Sequence, residues 1–265
     1  MLSKRLITAL WGIPLLVVAI WFDEPLPWFT VLAAVWGLLA VFEFYKMVAV
    51  SRVLPLTCFG LIWTLLFILR PQFDFSITLL LASAVVLSLI LLVFSPQKEG
   101  AFTNWVWTIA GVLYVGWLLS HLVALRLDAG RDWVFLALFA TFGSDTAAFF
   151  IGRALGRHRL APRISPGKTW EGAIGGLLGA IIISLLFTLP TPLQLPLSSG
   201  QAILLGALVS IFGQFGDLAE SLLKRNSGVK ESGNMMPGHG GLLDRMDSIV
   251  FAGIVVYFYY MFVVL

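Results

Sequence analysis

The sequence predicts an all-α, polytopic transmembrane helical bundle of about nine spans. Three observations carry that reading. First, hydrophobic residues make up 59% of the 265 positions and charged residues 12%, against roughly 45–50% and 25% in soluble domains. A soluble chain of this size still presents a large surface to water and could not hide so much apolar side chain. Second, the apolar residues fall in runs of about 20, the length a helix needs to cross roughly 30 Å of hydrocarbon. Barrel strands would alternate apolar and polar residues over short segments, and these runs do not. Third, the basic residues segregate between alternate connecting segments. The same composition excludes disorder, a coiled coil and a disulfide scaffold, and the single cysteine, Cys58, has no intrachain partner.

In chain order the spans are expected at 6–22, 27–45, 53–69, 75–94, 103–125, 133–152, 172–190, 201–221 and 248–265. Lys4 and Arg5 precede the first, and no small-residue cleavage site follows it, so it reads as a retained anchor. Asp23-Glu24-Pro25, Arg70-Pro71, Ser95-Pro96-Gln97-Lys98, Asp128-Ala129-Gly130 and the prolines from Pro190 to Pro196 punctuate the runs. With the N-terminus in the cytoplasm and nine alternating spans, 14 of the 17 Lys and Arg lie inside, leaving only Arg70, Arg126 and Arg131 outside. One span more or fewer after the sixth would move a charged loop outside. The expectation is therefore a multi-pass protein of the cell inner (plasma) membrane, N-terminus cytoplasmic and C-terminus outside. It reads as a single membrane domain, with 1–132 as a membrane-spanning N-terminal part. The catalytic part is 133–265, with cytoplasmic loops 153–171 and 222–247.

Polar chemistry concentrates on that one face. Of the 14 acidic residues, Asp23, Glu24, Glu43, Asp74, Glu99, Asp128 and Asp132 sit near helix ends and read as interfacial, solvated charge. The other seven, Asp145, Glu171, Asp217, Glu220, Glu231, Asp244 and Asp247, attach to the two large inside loops or the helices entering them. In the second loop Asp217, Glu220, Ser221 and Lys224 fall at i, i+3, i+4 and i+7, one face of a helix leaving the bilayer. Asp244, Asp247 and Ser248 repeat the spacing where the last span enters. Paired carboxylates on helix ends can hold a hard cation such as Mg²⁺, whose shell is completed by water and phosphate oxygens. Lys224, Arg225, Lys230 and Arg245 are natural partners of phosphate. Gly238-His239-Gly240-Gly241 gives the backbone freedom for N–H groups to approach an anion. These are the needs of metal-assisted phosphoryl or nucleotidyl transfer.

The first loop contains Ser165-Pro166-Gly167-Lys168-Thr169-Trp170-Glu171-Gly172. Gly167-Lys168-Thr169 is not a P-loop, because the motif needs a glycine at position 162, which is Pro, and no strand is expected before it. Ser165…Lys168 and Ser221…Lys224 each match a Ser-x-x-Lys pattern without its supporting motifs. His121, His158 and His239 are too scattered for a zinc site. Asp145 lies about two turns inside the sixth span, where an ionisable residue faces the bundle or a water-filled cavity.

Together these loops resemble the membrane-bound phosphatidate cytidylyltransferases (CDP-diacylglycerol synthases). The resemblance rests on Ser221-Leu-Leu-Lys224-Arg225, Lys230-Glu231, His239-Gly240-Gly241 and Asp244-Arg245-Met-Asp247. The Ser165–Gly172 stretch and the Asp145 region add to it. Glu231 stands where the family usually has Asp. The resemblance implies the reaction of CTP with phosphatidate to CDP-diacylglycerol and pyrophosphate. It also implies a requirement for Mg²⁺ with a metal pair that admits a second cation, Asp217 and Asp244 as metal ligands, and a homodimer. On that basis Lys224, Arg225, Asp244, Arg245 and Asp247 are the expected catalytic set. Asp145, Ser165, Lys168, Thr169, Ser221, Lys230, His239, Gly240 and Gly241 are the expected substrate contacts. The partners are CTP, phosphatidate and the bilayer, with no nucleic acid. CTP-dependent polyprenol or phytol kinases are the alternative by resemblance. A transporter fits less well, since the charges crowd one face and no repeat is visible.

Overall fold

The computed structural model describes residues 2–22, 24–50, 53–94, 99–236 and 240–265, with backbone alone for 2–9 and 11. Asp23, Arg52, Lys98 and His239 therefore lie outside the described residues. Almost all the rest is helix: α1 (Leu2–Trp21), α2 (Trp28–Met47), α3 (Leu54–Phe73), α4 (Ile77–Val93), α5 (Ala101–Gly111), α6 (Leu118–Asp128), α7 (Arg131–Leu155), α8 (Trp170–Leu186), α9 (Ser199–Asn226) and α10 (Asp247–Tyr259). A π turn, Val112–Trp117, runs α5 into α6 without a break, and another, Tyr260–Val264, prolongs α10. Among the described residues six helical rods are long and apolar enough to cross a membrane, and Gly12–Trp21, Ile77–Val93 and Trp170–Leu186 are shorter apolar helices. These nine follow the nine expected runs in order. The chain is an all-α polytopic membrane protein.

Two small strands depart from the expectation of no strand near Gly167. β1 (Arg159–Ala161) and β2 (Ser165–Thr169) pair antiparallel, Arg159 opposite Thr169 and Ala161 opposite Ser165. Gly167-Lys168-Thr169 is thus strand rather than phosphate loop, and it runs directly into α8.

The chain divides into two compact units. The first comprises Met1–Leu127 with Glu231–Asp244. Its centre is Tyr45 of α2, fully buried, whose hydroxyl donates to Thr108 O at 2.9 Å. The ring fills a notch that exists because Gly60 of α3 and Gly111 of α5 lack side chains, since a Cβ at either position would collide with it. Phe67, Leu80 and Val112 form a second apolar cluster across α3, α4 and the π turn. Arg126 Nε donates to Ile20 O at 3.0 Å, tying α6 to α1.

The second unit comprises Asp128–Lys230 with Arg245–Leu265. Its spine is a backbone-to-backbone crossing of α7 and α8. A Cβ on Gly172 would lie 2.8 Å from Ala148 O, one on Gly176 3.0 Å from Ser144 O, and one on Gly179 2.7 Å from Ala147 Cβ. Without side chains there, the helices approach closely enough for dispersion contacts along their length, the mode that replaces hydrophobic driving force in lipid. Polar links complete the packing. Ser144 and Ser210 hydroxyls lie 2.8 Å apart, joining α7 to α9, and Gln214 Nε2 donates to Ala173 O of α8 at 3.1 Å. Tyr257 and Tyr260 of the C-terminal segment donate to Asp128 at 3.3 and 3.2 Å.

Candidate active site

In the second unit the ionisable residues meet where α7, α9 and α10 approach the hairpin. The polar C-terminal turns of α9 run to Asn226, past the expected end of the span, and carry Asp217, Glu220, Ser221, Lys224 and Arg225 on helix as the i, i+3, i+4, i+7 spacing requires. Lys168 of β2 reaches α9 with its Nζ 2.7 Å from Asp217 Oδ2, while Ser221 Oγ donates to Asp217 Oδ1 at 3.3 Å. One turn on, Lys224 Nζ lies 3.4 Å from Oε1 of Glu220, which is 0% exposed. The Glu220 carboxyl also contacts that of Asp247, the first residue of α10, whose Oδ1 accepts from Ser248 N–H at 2.7 Å. Asp145 of α7 lies within electrostatic reach of Asp247, Asp217, Lys168 and Arg245.

The hairpin is held to this cluster by ordinary backbone chemistry. Thr169 is buried and caps α8, its Oγ1 accepting from Gly172 N–H at 3.1 Å. Arg225 Nε donates to Ile164 O in the hairpin turn at 3.2 Å. Glu171, in the first turn of α8, accepts from Arg157 N–H at 3.1 Å and from His158 Nδ1 at 2.6 Å. Its own N–H, then the His158 ring and the neighbouring amides, hold its carboxyl well below the usual range, at about 2.

Between α7, the hairpin and α8 opens a cleft of about 410 Å³. Arg153, Arg159 and Lys168 line it together with Phe149, Leu160 and Gln214. Its volume falls in the roughly 300–1,000 Å³ range of small-molecule sites. Three cations in a cleft that the first turn of α8 also lines, through Gly172 and Ala173, are suited to a polyanion.

The first unit contains Glu231, Gly240, Gly241 and Asp244, while Ser165, Lys230 and Arg245 belong to the second. Asp244 sits in a 3₁₀ turn, Leu243–Arg245, rather than on the helix with Asp247, so its i, i+3 relation to Asp247 is not helical. Its Oδ2 accepts from Ser232 N–H at 3.0 Å, Ser232 Oγ at 3.0 Å and Gly241 N–H at 2.9 Å. The glycine run does bring an amide to an anion, and here the anion is Asp244. Gly240 makes the turn with φ +81°, beside the carboxyl of Glu231. Sequence reasoning missed Glu43. It is 2% exposed rather than solvated, and its Oε2 accepts from Leu243 N–H at 3.0 Å. Ser165 is half-buried at the start of β2, and Arg245 and Lys230 are exposed. Asp217 and Asp244, the expected metal pair, belong to different units.

The donor chemistry fits a hard divalent cation. Among the described residues no three His, Cys, Asp or Glu groups form a ready cage, but Mg²⁺ takes only one or two carboxylates and fills its shell with water and phosphate. Glu220 and Asp247 in contact, with Asp217 nearby, set three carboxylates against the two ammonium groups of Lys168 and Lys224.

A model of the cytidylyltransferase family matches residues 3–263. The chain is similar to the phosphatidate cytidylyltransferase of Bacillus subtilis (strain 168), 35% identical over 237 residues, covering 87% of each chain. It is similar to that of Brucella suis biovar 1 (strain 1330), 35% identical over 269 residues, covering 97% of this chain and 93% of the other. The enzyme of that name from Staphylococcus haemolyticus (strain JCSC1435) is 38% identical over 191 residues, covering 71% and 72%.

Proposed function

The chain belongs to the cytidylyltransferase family, and from that premise we propose that it transfers the cytidylyl group of CTP to phosphatidate, giving CDP-diacylglycerol and pyrophosphate at the cytoplasmic face of the membrane. The observation that carries the reading is the Lys168–Asp217 contact at the edge of a cleft that Arg153 and Arg159 also line. Cations for phosphate and carboxylates for a metal are there side by side. The 14-to-3 partition of basic residues supports the cytoplasmic face.

Both substrates are polyanions, so their mutual repulsion is the main obstacle. The phosphate of phosphatidate is mostly dianionic near neutral pH and attacks the α-phosphorus of CTP while the bond to pyrophosphate breaks. No side-chain nucleophile is needed, and little general-base help. Arg153, Arg159 and Lys168 bind the triphosphate in the cleft and offset charge on the departing pyrophosphate. Lys224, Arg225, Lys230 and Arg245 offset charge on the lipid phosphate. Asp217 and Asp247, with Asp145 in reach, would hold Mg²⁺, which when bound supplies charge neutralisation at phosphate oxygens, and Asp244 of the first unit is a further candidate metal ligand. In the free protein Lys168 is the counter-ion of Asp217, and on binding it passes to phosphate. The acyl chains stay in the bilayer, which is why the charges sit at helix ends.

Purified protein in micelles with CTP, phosphatidate and Mg²⁺ is expected to form CDP-diacylglycerol and pyrophosphate in equal amounts. In a parallel reaction with a polyprenol or phytol in place of phosphatidate, formation of CDP and the phosphorylated alcohol would replace this reading by the kinase one.

A further inference from the structure

We propose that Glu43 of α2 is a positioning residue: it is the buried template on which the Ser232–Asp244 segment closes, and so it fixes Asp244. Burying a carboxylate is unfavourable unless donors meet it, and Glu43 is 2% exposed. Its donors come from about 200 residues away in sequence. Leu243 N–H donates to Oε2 at 3.0 Å, and Ser232 Oγ lies 3.4 Å from the same oxygen. Leu243 immediately precedes Asp244 and is itself buried. The Ser232 hydroxyl stands between the two carboxylates, 3.0 Å from Asp244 Oδ2. Its single proton serves one at a time, so a shift in either acid is felt by the other.

The backbone is shaped to this arrangement. A Cβ on Gly233 would collide with Glu43, and one on Gly241 with both Ser232 Oγ and Glu43. Gly241 needs that closeness because its N–H is one of the three donors to Asp244 Oδ2. Glu43, Ser232 and Gly241 thus form one chain of contacts ending at Asp244. All of it lies in the first unit. That this segment serves the reaction rests on the cytidylyltransferase reading above, whereas the template role does not.

Two measurements on the full-length protein separate them. Amide hydrogen exchange over 240–244 reads the template directly. Glu43→Ala is expected to speed exchange of the Leu243 amide by about tenfold or more, and Glu43→Gln, which keeps an acceptor oxygen, to hold it within about threefold of the parent. In steady-state kinetics Glu43→Ala is expected to lower kcat about 30-fold, with KM for CTP and phosphatidate within about threefold, and Glu43→Gln to restore kcat. Ser232→Ala leaves the α2 core untouched, so it decides the matter should Glu43→Ala not fold; its kcat is expected to fall about fivefold at unchanged KM. Parent-like exchange in Glu43→Ala, a Gln variant no better than Ala, or an unchanged kcat in Ser232→Ala overturns the proposal. If the parent protein forms no CDP-diacylglycerol, the reaction reading fails, and exchange alone decides the role of Glu43.

Discussion

Replacing Lys168 by Met removes the ammonium 2.7 Å from Asp217 Oδ2 and keeps most of the stem. At that separation and an effective dielectric near 20, the bare attraction is about 6 kcal/mol. The two side chains are 24% and 34% exposed, so hydration and screening offset most of it, leaving about 1 kcal/mol of net stabilisation. That corresponds to a melting shift of roughly 2–4 °C. Catalysis should lose far more, because a donor aimed at charge that develops in the transition state contributes about 3–4 kcal/mol. Lys168→Met is therefore expected to lower kcat/KM for CTP by about 100- to 1,000-fold while the protein stays folded. The assay is CDP-diacylglycerol formation over a CTP range, with thermal melting of the same preparation. A variant that melts a few degrees lower yet keeps kcat/KM within about threefold would refute the reasoning. Lys168 would then serve only to tether β2 to α9.

Four further outcomes follow from the same contacts. Asp244→Asn keeps an acceptor for the Ser232 and Gly241 donors and Asp244→Ala does not, so the Ala variant alone should lose about 1–3 kcal/mol in chemical unfolding. Both should lose turnover, and a near-normal rate in the Asn variant rejects a metal role. Gly176→Val forces side-chain atoms against Ser144 O, 3.0 Å from the first of them, and should destabilise by about 1–3 kcal/mol, read as a lower melting temperature. Arg153→Gln and Arg159→Gln should each raise KM for CTP about tenfold with smaller effects on kcat. For Glu171, the folded carboxyl titrates at about 2, below its ordinary 4.5. Its hold on the hairpin is therefore complete above about 4.5 and lost as pH falls toward 2. Pepsin cleavage within 157–169 should rise over that window, and in Glu171→Gln it should already be high at its top.

The spans were legible because the signal is additive, a run of about 20 apolar residues whatever their order. Boundaries were less so. α9 extends five residues past the expected 221, where Arg225 donates to Ile164 O, a tertiary contact that hydropathy does not see. The face shared by Asp217, Glu220, Ser221 and Lys224 was readable from helical spacing alone. The hairpin was not, since a three-residue strand followed by Pro162 and a five-residue strand containing Pro166 carry no periodic signal. Glu43 illustrates the deeper limit. A lone acid near a helix end looks solvated, and its donors, the Leu243 amide and the Ser232 hydroxyl, come from about 200 positions later. The glycines of α8 were visible as residues, and their spacing of four, Gly172 with Gly176 and Gly175 with Gly179, is the signal that could have marked the α7 crossing.

CTP labelled at either its α- or its γ-phosphorus, given to the purified protein with phosphatidate, tests the central claim most directly. The account predicts α-label in the lipid fraction and γ-label in free pyrophosphate. Label from the γ position in lipid, or none from the α position, would contradict it.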